Sequence, residues 1–330
     1  MGYFKRVIAW LLFFAGLIAL LYIASGIFAP KDNTAEAGME YARVNGILGE
    51  PPDSIDILVM GDSESYNGYS PLLMWKETGY TSYTCGTDAQ KLTYTRTMLE
   101  RALEKQHPKV VILETLAIYR PIKLDNVVLE ELSRALPVFR YHDRWKDLSM
   151  DDVTQKVTAT QTHPYKGHIT KVVPCDNEEY MHPTDKVASI ALVNQYYVRA
   201  IKELCDRHGA QLLLVSTPSP VNWSYERHNG IQKFADELGC TYVDMNLESV
   251  GIDWTKDTFD KGDHLNHFGA VKATKFLADC KSRVGLPTTA QTPHTATGIR
   301  SGRNMRSRFP GDNVQIGGLP ENKSAAPSCV

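Results

Sequence analysis

Four short runs of apolar residues limit what this chain can become more than any other feature of it. They are Ile55-Asp56-Ile57-Leu58-Val59-Met60 ending at Gly61, Val110-Val111-Ile112-Leu113, Leu212-Leu213-Leu214-Val215, and the shorter Thr241-Tyr242-Val243-Asp244. None shows the apolar/polar alternation of a half-exposed strand, so each reads as a strand buried on both faces. Strands of that kind occur almost only in parallel sheets with helices packed on either side. The intervening segments fit: Ala89 to Lys105 before His107-Pro108, Val187 to Arg207 before His208-Gly209, and Ile231 to Leu238 before Gly239 carry helical spacing and helix stops. Tyr80 to Thr84 is a further candidate strand. The predicted class is α/β with a central parallel sheet.

The first thirty residues do not belong to that core. Val7 to Ala29 is an uncharged run rich in Leu, Ile, Phe and Ala, and as a helix rising about 1.5 Å per residue it reaches roughly 35 Å, long enough to cross a bilayer. Lys5 and Arg6 precede it, which by the positive-inside tendency predicts a cytoplasmic N-terminus and an extracytoplasmic body. The small residues Ala24-Ser25-Gly26 leave a cleaved signal peptide as the competing reading. A secretory apolar region is usually only about 7 to 15 residues, so a retained anchor over residues 1–29 is expected.

The remaining chain divides into a polar linker (30–50), a catalytic-type body (51–285) and a tail (286–330). Within the body, residues 120–186 contain no clear buried strand and read as a largely helical and loop insertion over the sheet. The tail, rich in Pro, Thr, Gly, Ser and Arg, has the composition of a disordered segment. Lys and Arg number 36 against 38 Asp and Glu, which argues against a nucleic-acid partner. The six cysteines show no zinc or redox spacing, and most are expected to be buried free thiols. His163, His168 and His182 likewise lack metal-ligand spacing, so no metal and no cofactor are expected.

Chemistry is expected where parallel strands end. The first strand runs into Gly61-Asp62-Ser63-Glu64-Ser65. A serine on a sharp strand-to-helix turn can be exposed beside free backbone N–H groups, although such a tripeptide is more often a plain turn or cap. Near the end of the body stands Asp260-Lys261-Gly262-Asp263-His264-Leu265-Asn266-His267. A His fixed by a carboxylate suits a general base, and Asn266 suits the cap of the following helix. Two pockets of aromatic residues are open to either reading. Tyr141-His142-Asp143-Arg144-Trp145 is a structural turn or a partner surface, and Trp223 is a cleft wall or core.

Together, Gly61-Asp62-Ser63 after the first strand and the His264-x-Asn266-x-x-Gly269 ending resemble the SGNH (GDSL-type) hydrolase family over about Pro51 to Val284. The resemblance implies a three-layer, flavodoxin-like α/β/α fold and a serine acyl-enzyme mechanism. By match to the motifs, Ser63 is the nucleophile and His264 the base, with Asp260 as third member and Asp263 as the alternative. The backbone N–H groups of Ser63 and Gly86 form the oxyanion hole. Lys261 occupies the family's usual acid position, and a register pairing Asp263 with His267 is the other option. Glu114-Thr115-Leu116 replaces the family's Gly-x-Asn-Asp block, leaving Thr115 as candidate third donor.

With its N-terminal anchor, the chain looks closest to the membrane-bound DltD-like and alginate-acetylation-like branch. That resemblance implies an acyl transferase or esterase acting on O-acyl, mainly acetyl, groups of a glycan or cell-wall polymer. It also implies a multi-spanning membrane-bound O-acyltransferase as partner. The alternative is a non-catalytic scaffold for such a partner.

Overall fold

The computed structural model describes residues 2–175 and 180–280; the expected tail at 286–330 and Cys329 lie outside the described residues. In chain order the helices are α1 (Gly2–Phe28), α2 (Ala42–Asn45), α3 (Ser63–Gly68), α4 (Pro71–Thr78), α5 (Leu92–Leu103), α6 (Leu116–Tyr119), α7 (Leu124–Ala135), α8 (Val138–Tyr141), α9 (Met150–Thr154), α10 (Leu192–Arg207), α11 (Tyr225–Leu238) and α12 (His267–Asp279). The strands are β1 (Ile57–Gly61), β2 (Ser82–Gly86), β3 (Val110–Glu114), β4 (Gln211–Ser216), β5 (Thr241–Asp244), β6 (Thr258–Phe259) and β7 (His264–Leu265). They form two compact units, Met1–Glu50 with Pro121–Thr162, and Pro51–Arg120 with His163–Val330.

The second unit holds the sheet. Five parallel strands lie in the order β2-β1-β3-β4-β5, a doubly wound arrangement whose switch point falls between β1 and β3. Its strands are buried on both faces, as continuous apolar runs require. One face carries Ile57, Val59, Val110, Ile112, Leu213 and Val215, packed with Met74 of α4 and Ala273 and Leu277 of α12. The alternating residues Leu58, Met60, Val111 and Leu113 are fully buried as well, and α5 and α10 pack together and reach β1 and β4. The architecture is therefore α/β, a parallel sheet between helical layers.

Several boundaries differ from the sequence reading for local reasons. The apolar run begins at Ile55, but β1 begins at Ile57, because the Asp56 carboxylate accepts from Thr81 N–H (3.0 Å) and pairs with Lys109 (3.0 Å). Helix α11 starts six residues before Ile231, where Ser224 caps it by accepting from Arg227 N–H; its polar first turn hides the periodicity. Cys85 and Cys205 are buried free thiols, Cys240 and Cys280 are half-buried ones, and Cys175 is disulfide-bonded.

In the first unit, α1 contacts α8 and α9, and α7 contacts α8. Residues 31–50 fold into turns around buried Asn33, Val44 and Ile47, with Asn33 Nδ2 donating to Gln161 O (2.6 Å). The Tyr141–Trp145 segment is a turn: Arg144 donates to Phe28 O (2.6 Å) and pairs with Asp152 (2.7 Å), while Trp145 is exposed.

Candidate active site

Gly61 and Gly86 are register partners on neighbouring strands, and both positions exclude a side chain. A Cβ on Gly86 would stand 2.1 Å from Ser65 Oγ and 2.7 Å from Asp62 O, and one on Gly61 would meet Glu114 Cβ at 2.6 Å. The turn from β1 into α3 is thereby pressed against the ends of β2 and β3. Asp62 caps α3 by accepting from Glu64 N–H, which leaves Ser63 as the first residue of the helix, 7% exposed.

Beneath this turn three acids are buried with one cation. Asp62 pairs with Arg120 Nε at 2.6 Å. Glu114 accepts from Leu116 N–H (2.9 Å) and Thr217 N–H (3.3 Å). Glu64 accepts from Asn222 Nδ2 at 2.9 Å through one oxygen, while Oε2 is buried without a partner among the described residues. Burial first, then the charges of Glu114 and Asp62, raises the Glu64 pKa well above the usual carboxylate range. Burial and then Asp62 do the same for Glu114. Burial also raises the pKa of Asp62, against the opposing pull of Arg120. Three charged carboxylates in so dry a space share a single guanidinium, so burial and mutual repulsion favour the protonated forms of Glu64 and Glu114.

The histidine arrives on a small hairpin, β6 paired antiparallel with β7, and β7 packs on α3. Between the strands, Asp260 (φ 44°), Lys261 (φ 61°) and Gly262 (φ 81°) are consecutive left-handed residues. Such backbone costs about 1 kcal/mol or more at each non-glycine position and persists where surroundings enforce it. Here it curls Asp260 back onto His264, Oδ2 lying 2.8 Å from Nδ1 and Oδ1 accepting the His264 N–H at 3.1 Å. Asp263 is farther away, 3.7 Å from Nδ1. The extra residue in Asp260-Lys261-Gly262-Asp263 is accommodated by this turn, so the acid four residues before the histidine reaches the ring and Lys261 does not.

Burial works to lower the His264 pKa, but the hydrogen bond to Asp260 and the charges of Asp263, Asp260 and Asp62 outweigh it and raise it. Its other nitrogen, Nε2, is buried and without a hydrogen-bond partner among the described residues. A ring oriented through Nδ1 with Nε2 left open is arranged to take a proton.

Glu64, Asp263 and His264 bring ligand-type atoms within 4.8 Å of one another. The Asn222 amide lies between the two carboxyls, donating to Glu64 and to Asp263.

The structure thus brings Asp260, Asp263 and His264 together on a hairpin against the helix that Ser63 opens, with Gly86 beside the same turn. It does not bring Thr115 there. Thr115 N–H donates to Val215 O, and its hydroxyl is 2.6 Å from Ser216 Oγ, so both polar groups serve β4. His267 opens α12, its N–H donating to Lys171 O, and takes no part in the acid pairing. Asn266 caps α12 as expected, accepting from Phe268 and Gly269 N–H. Trp223 is core, 5% exposed and donating to Asp244 at 3.1 Å. His168 Nδ1 lies 2.8 Å from Tyr66 O. Sequence reasoning missed Glu64, Arg120, Ser219 and Asn222; Glu64 alone carried a signal, as an acid immediately after the serine.

No family model and no curated protein matches the chain. Among solved structures, similarity is found to a protein described as lipolytic and of the G-D-S-L family from Desulfitobacterium hafniense DCB-2, at 10% identity over 68% of this chain and 97% of that one, with a TM-score of 0.37. A GDSL-like lipase from Bacteroides thetaiotaomicron VPI-5482 matches at 12% identity over 73% and 96%, TM-score 0.36. An acetyl xylan esterase from the rumen bacterium Butyrivibrio proteoclasticus matches at 12% over 72% and 65%, TM-score 0.31. At such scores the likeness adds no weight to the geometry of the site.

Proposed function

We propose that this chain is a membrane-anchored serine acyl-ester enzyme, moving short O-acyl groups on or off a cell-wall polymer or exopolysaccharide. The observation that carries the reading is His264, fixed through Nδ1 by Asp260 and open at a buried Nε2, on a hairpin packed against the helix that Ser63 begins. In the mechanism that follows, Nε2 accepts the Ser63 proton as Oγ adds to the ester carbonyl. The backbone N–H groups of Ser63 and Gly86 take the developing oxyanion, each such donor being worth roughly 3 to 4 kcal/mol in serine enzymes. Imidazolium then returns the proton to the leaving alcohol. A sugar hydroxyl or water, deprotonated by the same nitrogen, releases the acyl group. Asp260 holds the tautomer and stabilises the imidazolium.

The anchor reading rests on Tyr3–Phe28, a helix long and apolar enough to cross a membrane, with Lys5 and Arg6 on the proposed cytoplasmic side and a membrane-bound O-acyltransferase as the proposed partner. The test is to treat the detergent-solubilised full-length protein with a fluorophosphonate and map the adduct by mass spectrometry. An adduct on Ser63 that disappears in His264→Ala is expected. A folded protein that stays unmodified refutes the serine mechanism and favours the scaffold reading.

A further inference from the structure

Helix α7 is built inside out. Its buried residue is Ser133, while Leu124, Val128, Leu129 and Leu132 are exposed, within an arc of about 140° at 100° per residue in which Asp125 is the exposed charge. Helix α9 turns Asp152 inward onto Arg144 (2.7 Å) and leaves Met150 and Val153 exposed beside Asp151 and Thr154, followed by exposed Val157. Water-facing surfaces scatter their large apolar residues singly. A helix such as α7 that turns a serine inward and Leu and Val outward, with Met and Val of α9 also outward, is matched to apolar surroundings.

Contacts within the same unit indicate what those surroundings are. Val7 to Ile23 of α1 are exposed apart from half-buried Leu21, and from Ala24 the helix is largely covered, with Ser25 buried. The segment that grips this end is the one carrying α7, α8 and α9. Val138 N–H donates to Ser25 Oγ (3.3 Å), Arg144 to Phe28 O (2.6 Å) and Thr158 N–H to Lys31 O (2.8 Å). The bare apolar part of α1, beyond Lys5 and Arg6, is about 26 Å long at the usual helical rise, close to a bilayer's hydrocarbon thickness of ~30 Å. The collar begins where that thickness ends. Trp145, exposed beside Lys146 at 5.5 Å, adds an aromatic of the kind that settles at the headgroup level.

We propose that α7 and α9 lie in the interfacial layer of the bilayer that α1 crosses, their outward Leu, Val and Met side chains among the acyl chains. This rests on the membrane reading of α1. The anchor is then a spanning helix with an amphipathic collar at its extracytoplasmic end, and apolar area rather than charge holds the collar down.

The test places a benzophenone amino acid at Leu129, Val153, Leu12 or Lys233 of the full-length protein in phosphatidylcholine nanodiscs, followed by irradiation and mass spectrometry of lipid adducts. Leu129 and Val153 are expected to label within about threefold of Leu12 and about tenfold or more above Lys233, as immersed apolar faces should. Labelling at Leu12 with Leu129 and Val153 at the Lys233 background overturns the collar while leaving the anchor intact. Adducts to a second protein chain in place of lipid also overturn it. No labelling at Leu12 overturns the anchor reading and the collar with it.

Discussion

The described residues include two Asp–His pairs of equal length, and only one leaves the far ring nitrogen buried without a partner. His228 Nδ1 lies 2.8 Å from Asp244 Oδ2, and His264 Nδ1 lies 2.8 Å from Asp260 Oδ2. Asp244 also accepts from Trp223 Nε1 (3.1 Å), Tyr242 OH (3.0 Å), Asn246 N–H (2.9 Å) and Asn246 Nδ2 (2.7 Å). His228 is one of several donors to a buried carboxylate, and its ring sits between Tyr225 at 5.4 Å and Tyr242 at 5.6 Å. Among the described residues, the Asp260 carboxylate accepts only from His264, through N–H and Nδ1. It is held there by a left-handed turn and leaves a buried Nε2 with no partner. A shared carboxylate makes its histidine a strut; a dedicated one, with the far nitrogen open, suits it to the base role proposed for it.

The sharpest way to break this contrast is to remove each ring. His264→Ala is expected to lower acyl turnover by about a thousandfold or more with the thermal midpoint nearly unchanged. His228→Ala should leave turnover within about threefold while destabilising by about 1 kcal/mol, since Asp244 keeps its other donors. Equal losses of activity would end the distinction.

Exchanging the acids comes next. Asp260→Asn should cost about a hundredfold or more in kcat by releasing the tautomer, Asp263→Asn less than about tenfold, and Asp244→Asn should act on the melting temperature instead. Kinetics of the three variants beside thermal denaturation would decide.

The pH profile sharpens the assignment further. Because His264 is raised above its ordinary value, the acid limb of kcat/KM should fall above about pH 6.5, activity growing as the ring loses its proton. In Asp260→Asn that limb should move to lower pH. The same shift makes the charged pair stabilising below the unfolded histidine's pKa, and that contribution is lost as pH rises through the folded value.

Glu64 offers a smaller effect of opposite origin. Its folded pKa is raised because burial opposes charge, so the native state holds a proton that the unfolded chain gives up. Stability should fall as pH rises above about 4.5, at up to about 1.4 kcal/mol per pH unit until the folded value is reached. Glu64→Gln keeps the shape, removes that decline and flattens chemical denaturation curves measured from pH 5 to 8. Least of all, Lys261→Gly should relieve a left-handed side chain and stabilise by no more than about 1 kcal/mol, read from the denaturation midpoint.

Much of the sheet could be read from residue order because parallel strands buried on both faces leave unbroken apolar runs, as Val110 to Leu113 shows. The positions of Ser63 and His264 at element ends were legible through local spacing. What escaped depends on distant partners. Asn222 joins Glu64 across 158 residues of chain, and no period marks it. The β6–β7 hairpin has two residues per strand, too few for any pattern. Thr115 looked available beside the strand end, yet Ser216 on β4 claims its hydroxyl. His228 escaped because its interior of a polar helical turn, Tyr225 to Gly230, has no apolar rhythm.

If α1 crosses a membrane as proposed, its exposed apolar stretch Val7–Ile23, about 26 Å long, is shorter than an average hydrocarbon core of ~30 Å and close to the thinner endoplasmic-reticulum type. A collar hydrogen-bonded to the end of that helix removes the freedom to slide outward and expose more apolar length. In thicker membranes the bilayer itself must thin around the protein, at fractions of a kcal/mol per ångström. Membrane thickness thereby becomes a selector of where such a chain resides and with which neighbours of similar span it clusters.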